Sequence, residues 1–266
     1  MKKVLAFFAI AAMLCCVACK KTPTNNQGGN QTKPDPEKTD PEEPPVVEKA
    51  TITIDGDFED WAKLDQSKVA VAKSDPASPW DAVKEIRCYS NEMFVFYYIE
   101  YNSAQIADIL AGTNDPSDPE HNELPIRLNI NTDGEFTSGY TSYSLDGYDF
   151  IVEGGLATNG EWSSFDGNLY QRINGSWTDP PLLASGNGLC SGAGKDNKYE
   201  ICLIKELFNA AAGSSDVPMV MGDNFQTGIR FYTASWGELA NMPDGAVDDE
   251  NNPKGYGHLL DIHTDL

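Results

Sequence analysis

Beyond residue 50 the chain alternates short apolar runs with polar, turn-forming clusters. "ATITID", "VAVAK", "AVKEIRCYS" and "MFVFYYIEY" are rich in β-branched and aromatic residues and end at turn formers, which predicts strands. "LPIRLNI", "YDFIVEG", "NLYQRI", "KYEICLI" and "TGIRFYTASW" continue the series. Period-two alternation assigns faces within them. Leu128 and Ile130 point to a core while Asn129, Asn131 and Asp133 point away; Ile229, Phe231 and Thr233 share one face while Arg230 and Tyr232 take the other. Only "SAQIADILAG" and "IKELFNAAAG" read as helices, each closed by a glycine. The pattern predicts an all-β sandwich of two antiparallel sheets with one or two short helices.

The ends change the picture. Lys2 and Lys3 precede an apolar run, Val4 to Leu14, that is too short to span a bilayer as a stable anchor. The run ends in "CVACKK", which resembles a bacterial lipobox with Cys19 as the lipidated residue, although Cys16 stands where leucine is usual. Cys15 and Cys16 follow Leu14 and Cys15 rather than a small residue and fit less well. The alternative is a plain secretory signal. Residues 20–49, crowded with Pro, Asn, Thr and Glu, have no apolar periodicity and read as an extended tether. The expected organisation is a lipoprotein signal over 1–19, a tether over 20–49 and one β domain over 50–266, without internal repeats. The expected location is the outer membrane of a Gram-negative bacterium, facing either the surface or the periplasm.

Charge narrows the partners. With 41 acidic against 19 basic residues the formal net charge is −22, which repels phosphate backbones and anionic headgroups. Nucleic acid is disfavoured, and membrane attachment is expected through the lipid alone. Of the six cysteines, Cys88, Cys190 and Cys202 lie beyond the signal. "GLCSGAGKDNKYEICLI" reads as a hairpin with its turn centred near Asp196, a register that sets Cys190 opposite Cys202 and suits a cross-strand disulfide. The alternative is two buried thiols. Cys88 is expected to be a core thiol.

"ITIDGDFEDWAKL", residues 52 to 64, resembles the opening of family 9 carbohydrate-binding modules and their DOMON-like relatives. "AVKEIRCYSNEMFVFYYIEY", "IRLNINTDGEFTSGY", "DGYDFIVEGG" and "KYEICLIKELF" resemble later motifs of that family and fall in its order, with Ser138 interrupting a Thr-Gly step and Tyr148 replacing an alanine. The resemblance covers residues 50 to 262. It implies a jelly-roll-like sandwich, often with structural calcium and sometimes binding glycans or haem.

Two kinds of site follow. "NINTDGE", residues 129 to 135, holds the first half of a calcium loop: Asn129, Asn131 and Asp133 share a face, Gly134 permits the bend, and Glu135 can turn its carbonyl inward. Tyr140 stands where the closing glutamate of an EF-hand would be needed. The resemblance offers Asp149 and Glu153 on the next strand as replacements, so a structural Ca²⁺ is the expected cofactor. The alternative is an Asx-rich hairpin whose side chains satisfy its own backbone. Trp61 is expected to pack on the core, with Asp55 and Asp60 tying its turn. Trp80, Trp162, Trp177 and Trp236 sit near loops or strand ends, and Trp162 and Trp177 fit a glycan site best, with Asn159, Asp166, Asn174 and Asp179 nearby in sequence. Flat rings with nearby polar groups are what a glycan site needs; the alternative is that they cover loop bases.

Catalysis has no diagnostic constellation. His121, His258 and His263 are isolated, and neither a His-Glu-x-x-His run nor a Gly-x-Ser-x-Gly elbow occurs. Met93, Met219 and Met221 are not marked off as haem ligands. The leading expectation is a noncatalytic, lipid-anchored protein that binds polysaccharide or oligosaccharide at the cell envelope, with envelope proteins as further candidate partners. A structural or adhesive domain with calcium and no sugar site comes second, and a divergent glycoside hydrolase third.

Overall fold

A computed structural model describes residues 51–74, 81–117, 121–140, 147–243 and 259–266. The strands are β1 (Ala70–Lys73), β2 (Val83–Ser90), β3 (Phe94–Tyr101), β4 (Glu123–Asn131), β5 (Phe150–Thr158), β6 (Glu161–Trp162), β7 (Asn168–Ile173), β8 (Ser176–Trp177), β9 (Cys190–Lys195), β10 (Lys198–Ile204), β11 (Asn224–Tyr232), β12 (Glu238–Met242) and β13 (Leu260–His263). A five-stranded sheet runs β1-β2-β3-β10-β9. An eight-stranded sheet runs β12-β11-β4-β5-β7-β8, with β13 added to β11 and β6 to β5. Strand pairing is antiparallel in both, as the alternation predicts. Both expected helices form, α2 (Ile106–Ala111) and α3 (Lys205–Gly213), and a single turn, α1 (Asp60–Lys63), adds a third.

The main core lies between the sheets. Leu124, Ile126, Leu128 and Ile130 of β4 are at most 1% exposed and share one cluster with Ile86 of β2, Tyr97 and Ile99 of β3 and Tyr199 and Ile201 of β10. A second cluster sits on the other side of the five-stranded sheet, where Ile52, Trp61 and Leu64 cover Phe96, Tyr98 and Cys202. "ATITID" therefore does not pair as a strand; it runs as extended chain across that outer face. Glu200, fully buried on β10, holds the segment in place. Its Oε1 accepts the Asp55 and Gly56 N–H groups at 3.0 and 2.9 Å, and its Oε2 accepts the Trp61 indole N–H at 3.3 Å. Burial pushes the Glu200 carboxyl above its usual range, against these three donors. Trp61 thus packs as expected, although beneath it lies the smaller core.

The expected Cys190–Cys202 disulfide is not formed. Lys198 pairs with Lys195, which centres the β9–β10 turn between Asp196 and Asn197 rather than on Asp196. Half a residue at the turn is one residue in register: Cys190 faces Leu203 and Cys202 faces Ser191. A one-residue slip sends side chains to opposite faces. Cys190 enters the main core and Cys202 the outer cluster, and both are free thiols, as is the buried Cys88.

Candidate functional site: the outer face of the eight-stranded sheet

The residues of β4 that do not enter the core, Arg127, Asn129 and Asn131, open the outer face of the eight-stranded sheet. The register sets Arg230 of β11 directly across from Arg127, and Glu153 of β5 on its other side. Two like charges directly opposite are unfavourable on a sheet unless something compensates them. Here Glu153 accepts the Arg127 Nε–H at 2.5 Å, and the Arg127 guanidinium lies 5.2 Å from the Tyr232 ring and 5.3 Å from that of Trp236. Arg230 is buried against Tyr140 and Tyr148, 5.8 and 6.0 Å from their centroids. Arg172 of β7 lies 5.2 Å from both Tyr140 and Trp177. A cation over a ring contributes about 0.5–1 kcal/mol when exposed and about 2 when desolvated, so the rings hold these guanidiniums in place.

The rings themselves stack. Tyr140 and Tyr148 are 5.0 Å apart at 27°, and Trp177 lies 5.9 and 6.1 Å from them at 17° to each. Two Gly-Tyr pairs build this. Gly139 and Gly147 adopt φ of 61° and 62°, and a Cβ on Gly139 would meet the Gly147 and Tyr148 carbonyl oxygens at 2.6 Å. That close approach lets the Tyr140 N–H donate to the Tyr148 carbonyl at 2.9 Å, with the rings side by side. Trp177 joins from β8, paired with Arg172. Tyr140, Trp177 and Arg172 are half-buried, Tyr148 is buried in a small cluster with Ile151 and Leu259 against which Tyr140 and Trp177 pack, and Trp236 is 45% exposed. Successive strands are about 4.8 Å apart, so the distance from β11 to β7 is about 14 Å, longer than one sugar ring.

The "NINTDGE" loop lies at one end of β4. Its oxygens are largely engaged by its own backbone. Asn131 Oδ1 accepts the Gly134 N–H at 2.8 Å, and Asp133 Oδ1 accepts the Glu135 N–H at 2.8 Å. Ser138 donates its hydroxyl to Asp133 Oδ2 and lies equally close, at 3.2 Å, to the Glu135 carbonyl. Asp149 Oδ2 accepts the Thr132 N–H at 2.9 Å and its hydroxyl at 3.0 Å. Burial pushes the Asp149 carboxyl up to about 6, with the nearby Asp133 charge adding to the rise. Asp149 does sit beside Asp133, as expected, but Glu153 is taken by Arg127. Asn129 Oδ1 is buried and finds no hydrogen-bond partner among the described residues. Among those residues no group of three or more His, Cys, Asp or Glu gathers in a metal-holding arrangement.

The tryptophans separate. Trp177 and Trp236 share the outer face. Trp162 does not: its ring packs 5.8 Å from Tyr101 and 5.3 Å from Tyr199 at the rim of the main core, its indole N–H donating to the Asp196 carbonyl at 3.1 Å. A Cβ on Gly194 would meet that ring at 2.6 Å, which is why glycine stands beneath it. Cys19, Trp80 and His258 lie outside the described residues. His263 meets Asn224 at 2.6 Å on β13. His121 lines a cleft of about 570 Å³ between α2 and the β11–β12 turn, with Asp108, Asp115, Thr233 and Ser235.

No protein-family model matches the chain, and no curated protein matches it. The site is therefore read from its own chemistry. Tyr140, Tyr148, Arg172, Arg230 and Tyr232 were not among the residues that the sequence put forward as ligand-binding. Two signals pointed to them: the repeated Gly-Tyr pair, and arginines placed in mid-strand on the polar side of the alternation.

Proposed function

We propose that the protein is a noncatalytic glycan-binding lipoprotein of the cell envelope, anchored through Cys19 to the outer membrane and displaying its sandwich on the 20–49 tether. One observation carries the reading: three stacked rings with guanidiniums against them, of which Tyr140 and Trp177 are partly exposed beside Arg172 while Tyr148 and Arg230 are buried. Sugars bind by laying C–H faces on such rings while Arg and Asn side chains take the hydroxyls. The ordered motifs that resemble family 9 carbohydrate-binding modules point the same way. A hydrolase would need two carboxylates open to one cleft. The clefts that hold Asp108 with Asp115 and Asp133 with Asp261 include neither Asp149 nor Glu200, the carboxyls whose pKa burial raises; Asp149 is buried against Thr132 and Glu200 against the Trp61 segment.

A second reading, an adhesive domain with structural calcium, draws support from the adjacency of Asp133 and Asp149. A glycan array on the full chain in detergent, with and without chelator, separates the two. Binding that persists in chelator supports the first; no binding in either condition removes it.

A further inference from the structure

We propose that the sugar taken by this face carries an acid group, a carboxylate or a sulfate, and that Arg172 is the residue that reads it. The inference rests on the glycan reading above and narrows it to a class.

The chain contains only four arginines, and three of them, Arg127, Arg172 and Arg230, lie on this one face, while the whole chain carries −22. An anionic polymer is repelled by such a protein unless cations are gathered where it docks. The three arginines are not equivalent. Arg127 is neutralised by Glu153, and Arg230 is buried. Arg172 is half-buried and forms no ion pair among the described residues; its Nε is buried without a hydrogen-bond partner among them, which leaves the terminal Nη groups as the donors for a ligand. Its guanidinium lies 5.2 Å from the centroids of both Tyr140 and Trp177. A guanidinium between two rings and without an ion pair can offer its two Nη groups as a planar pair of donors, and such a pair matches a carboxylate or sulfate in a way an ammonium does not. The same two rings supply a stacking surface beside it, so one sugar can set its ring on Trp177 and its acid group on Arg172. A neutral sugar would use the rings and leave the guanidinium without a counter-charge.

The test is calorimetric titration of the full chain in detergent with polygalacturonate, its carboxyl-reduced form, dextran sulfate and dextran. We expect at least one acidic polymer to bind about tenfold or more tighter than its neutral counterpart, and R172Q to lose about that factor. R87Q, on the five-stranded sheet and paired with Glu85, should bind as the native protein does. Preference for polygalacturonate assigns a carboxylate, and preference for dextran sulfate assigns a sulfate. If R172Q does not fold, R172K provides the readout, since it keeps the charge and loses the fork; selectivity for the acid group should fall with it. Equal binding of acidic and neutral polymers, or full acidic binding by R172Q, overturns the inference and leaves the glycan reading standing. Binding of none of the four polymers, with a blank glycan array, overturns both.

Discussion

Replacing Asp149 with asparagine should make the protein more stable at neutral pH. The carboxyl is held at about 6 in the fold against an ordinary 3.8. Between those values the folded protein keeps a proton that the unfolded chain has released, so this group's contribution to stability falls as pH rises through the window and levels off above it. At 1.36 kcal/mol per pH unit the full span is about 3 kcal/mol. The amide of Asp149→Asn keeps one oxygen to accept the Thr132 N–H and hydroxyl and sheds the buried charge, although the Asp133 N–H, which also donates to the carboxylate, must then share that oxygen. In chelator at pH 7 the variant should gain up to about 3 kcal/mol, or roughly 6–12 °C in Tm for a domain of this size. At pH 3.5 the two proteins should melt together. Thermal melts of both from pH 3.5 to 7.5 measure the difference, which isolates Asp149 from the other acids. A variant less stable than the native protein at pH 7 in chelator would refute the reasoning, because the buried charge would then be stabilising. Millimolar Ca²⁺ adds a second axis: if the loop holds calcium, the ion should raise the native Tm and leave the variant unmoved.

Three further outcomes follow from the packing. Glu200→Ala strands the Asp55, Gly56 and Trp61 donors together and should cost about 3–5 kcal/mol, with Trp61 fluorescence shifting red; Glu200→Gln keeps one acceptor and should cost less. Thiol titration of the denatured, unreduced protein should count Cys88, Cys190 and Cys202 as free, and a bridged 190–202 peptide in the mass spectrum would contradict the register. Gly194→Ala should cost about 1–3 kcal/mol, because its Cβ meets the rings of Trp162 and Tyr199 at 2.6 Å; an unchanged Tm would show that these rings can move aside.

The strands were legible because alternation survives in them. In β4 every second residue from Leu124 to Ile130 is apolar and buried, and in β11 Ile229 and Phe231 enter the core while Arg230 and Tyr232 leave it, as read from the pattern. The β9–β10 register was not legible, because Asp196-Asn197 and a turn on Asp196 alone fit the same letters and differ by half a residue. "ATITID" has a strand's composition, but its neighbours decide otherwise: Asp60 takes the Thr53 N–H and Glu200 that of Asp55, so neither donates to a strand partner. The site was harder still. Tyr140, Tyr148 and Trp177 come from three separate segments, and only the sheet order with the Gly139–Gly147 approach makes them one surface. Trp162 and Trp177 looked alike in sequence, each following a turn. The sheet sends one ring to the core rim and the other to the open face.

The most direct measurement is the affinity of the native protein and Trp177→Ala for the best ligand of the glycan array, with Tm recorded beside it. Trp177 is half-buried at the edge of the stack, so its removal should leave Tm within a few degrees while costing at least about 2 kcal/mol of binding, or some thirtyfold in Kd. Undiminished affinity in a well-folded Trp177→Ala variant would place the glycan site elsewhere and contradict the account.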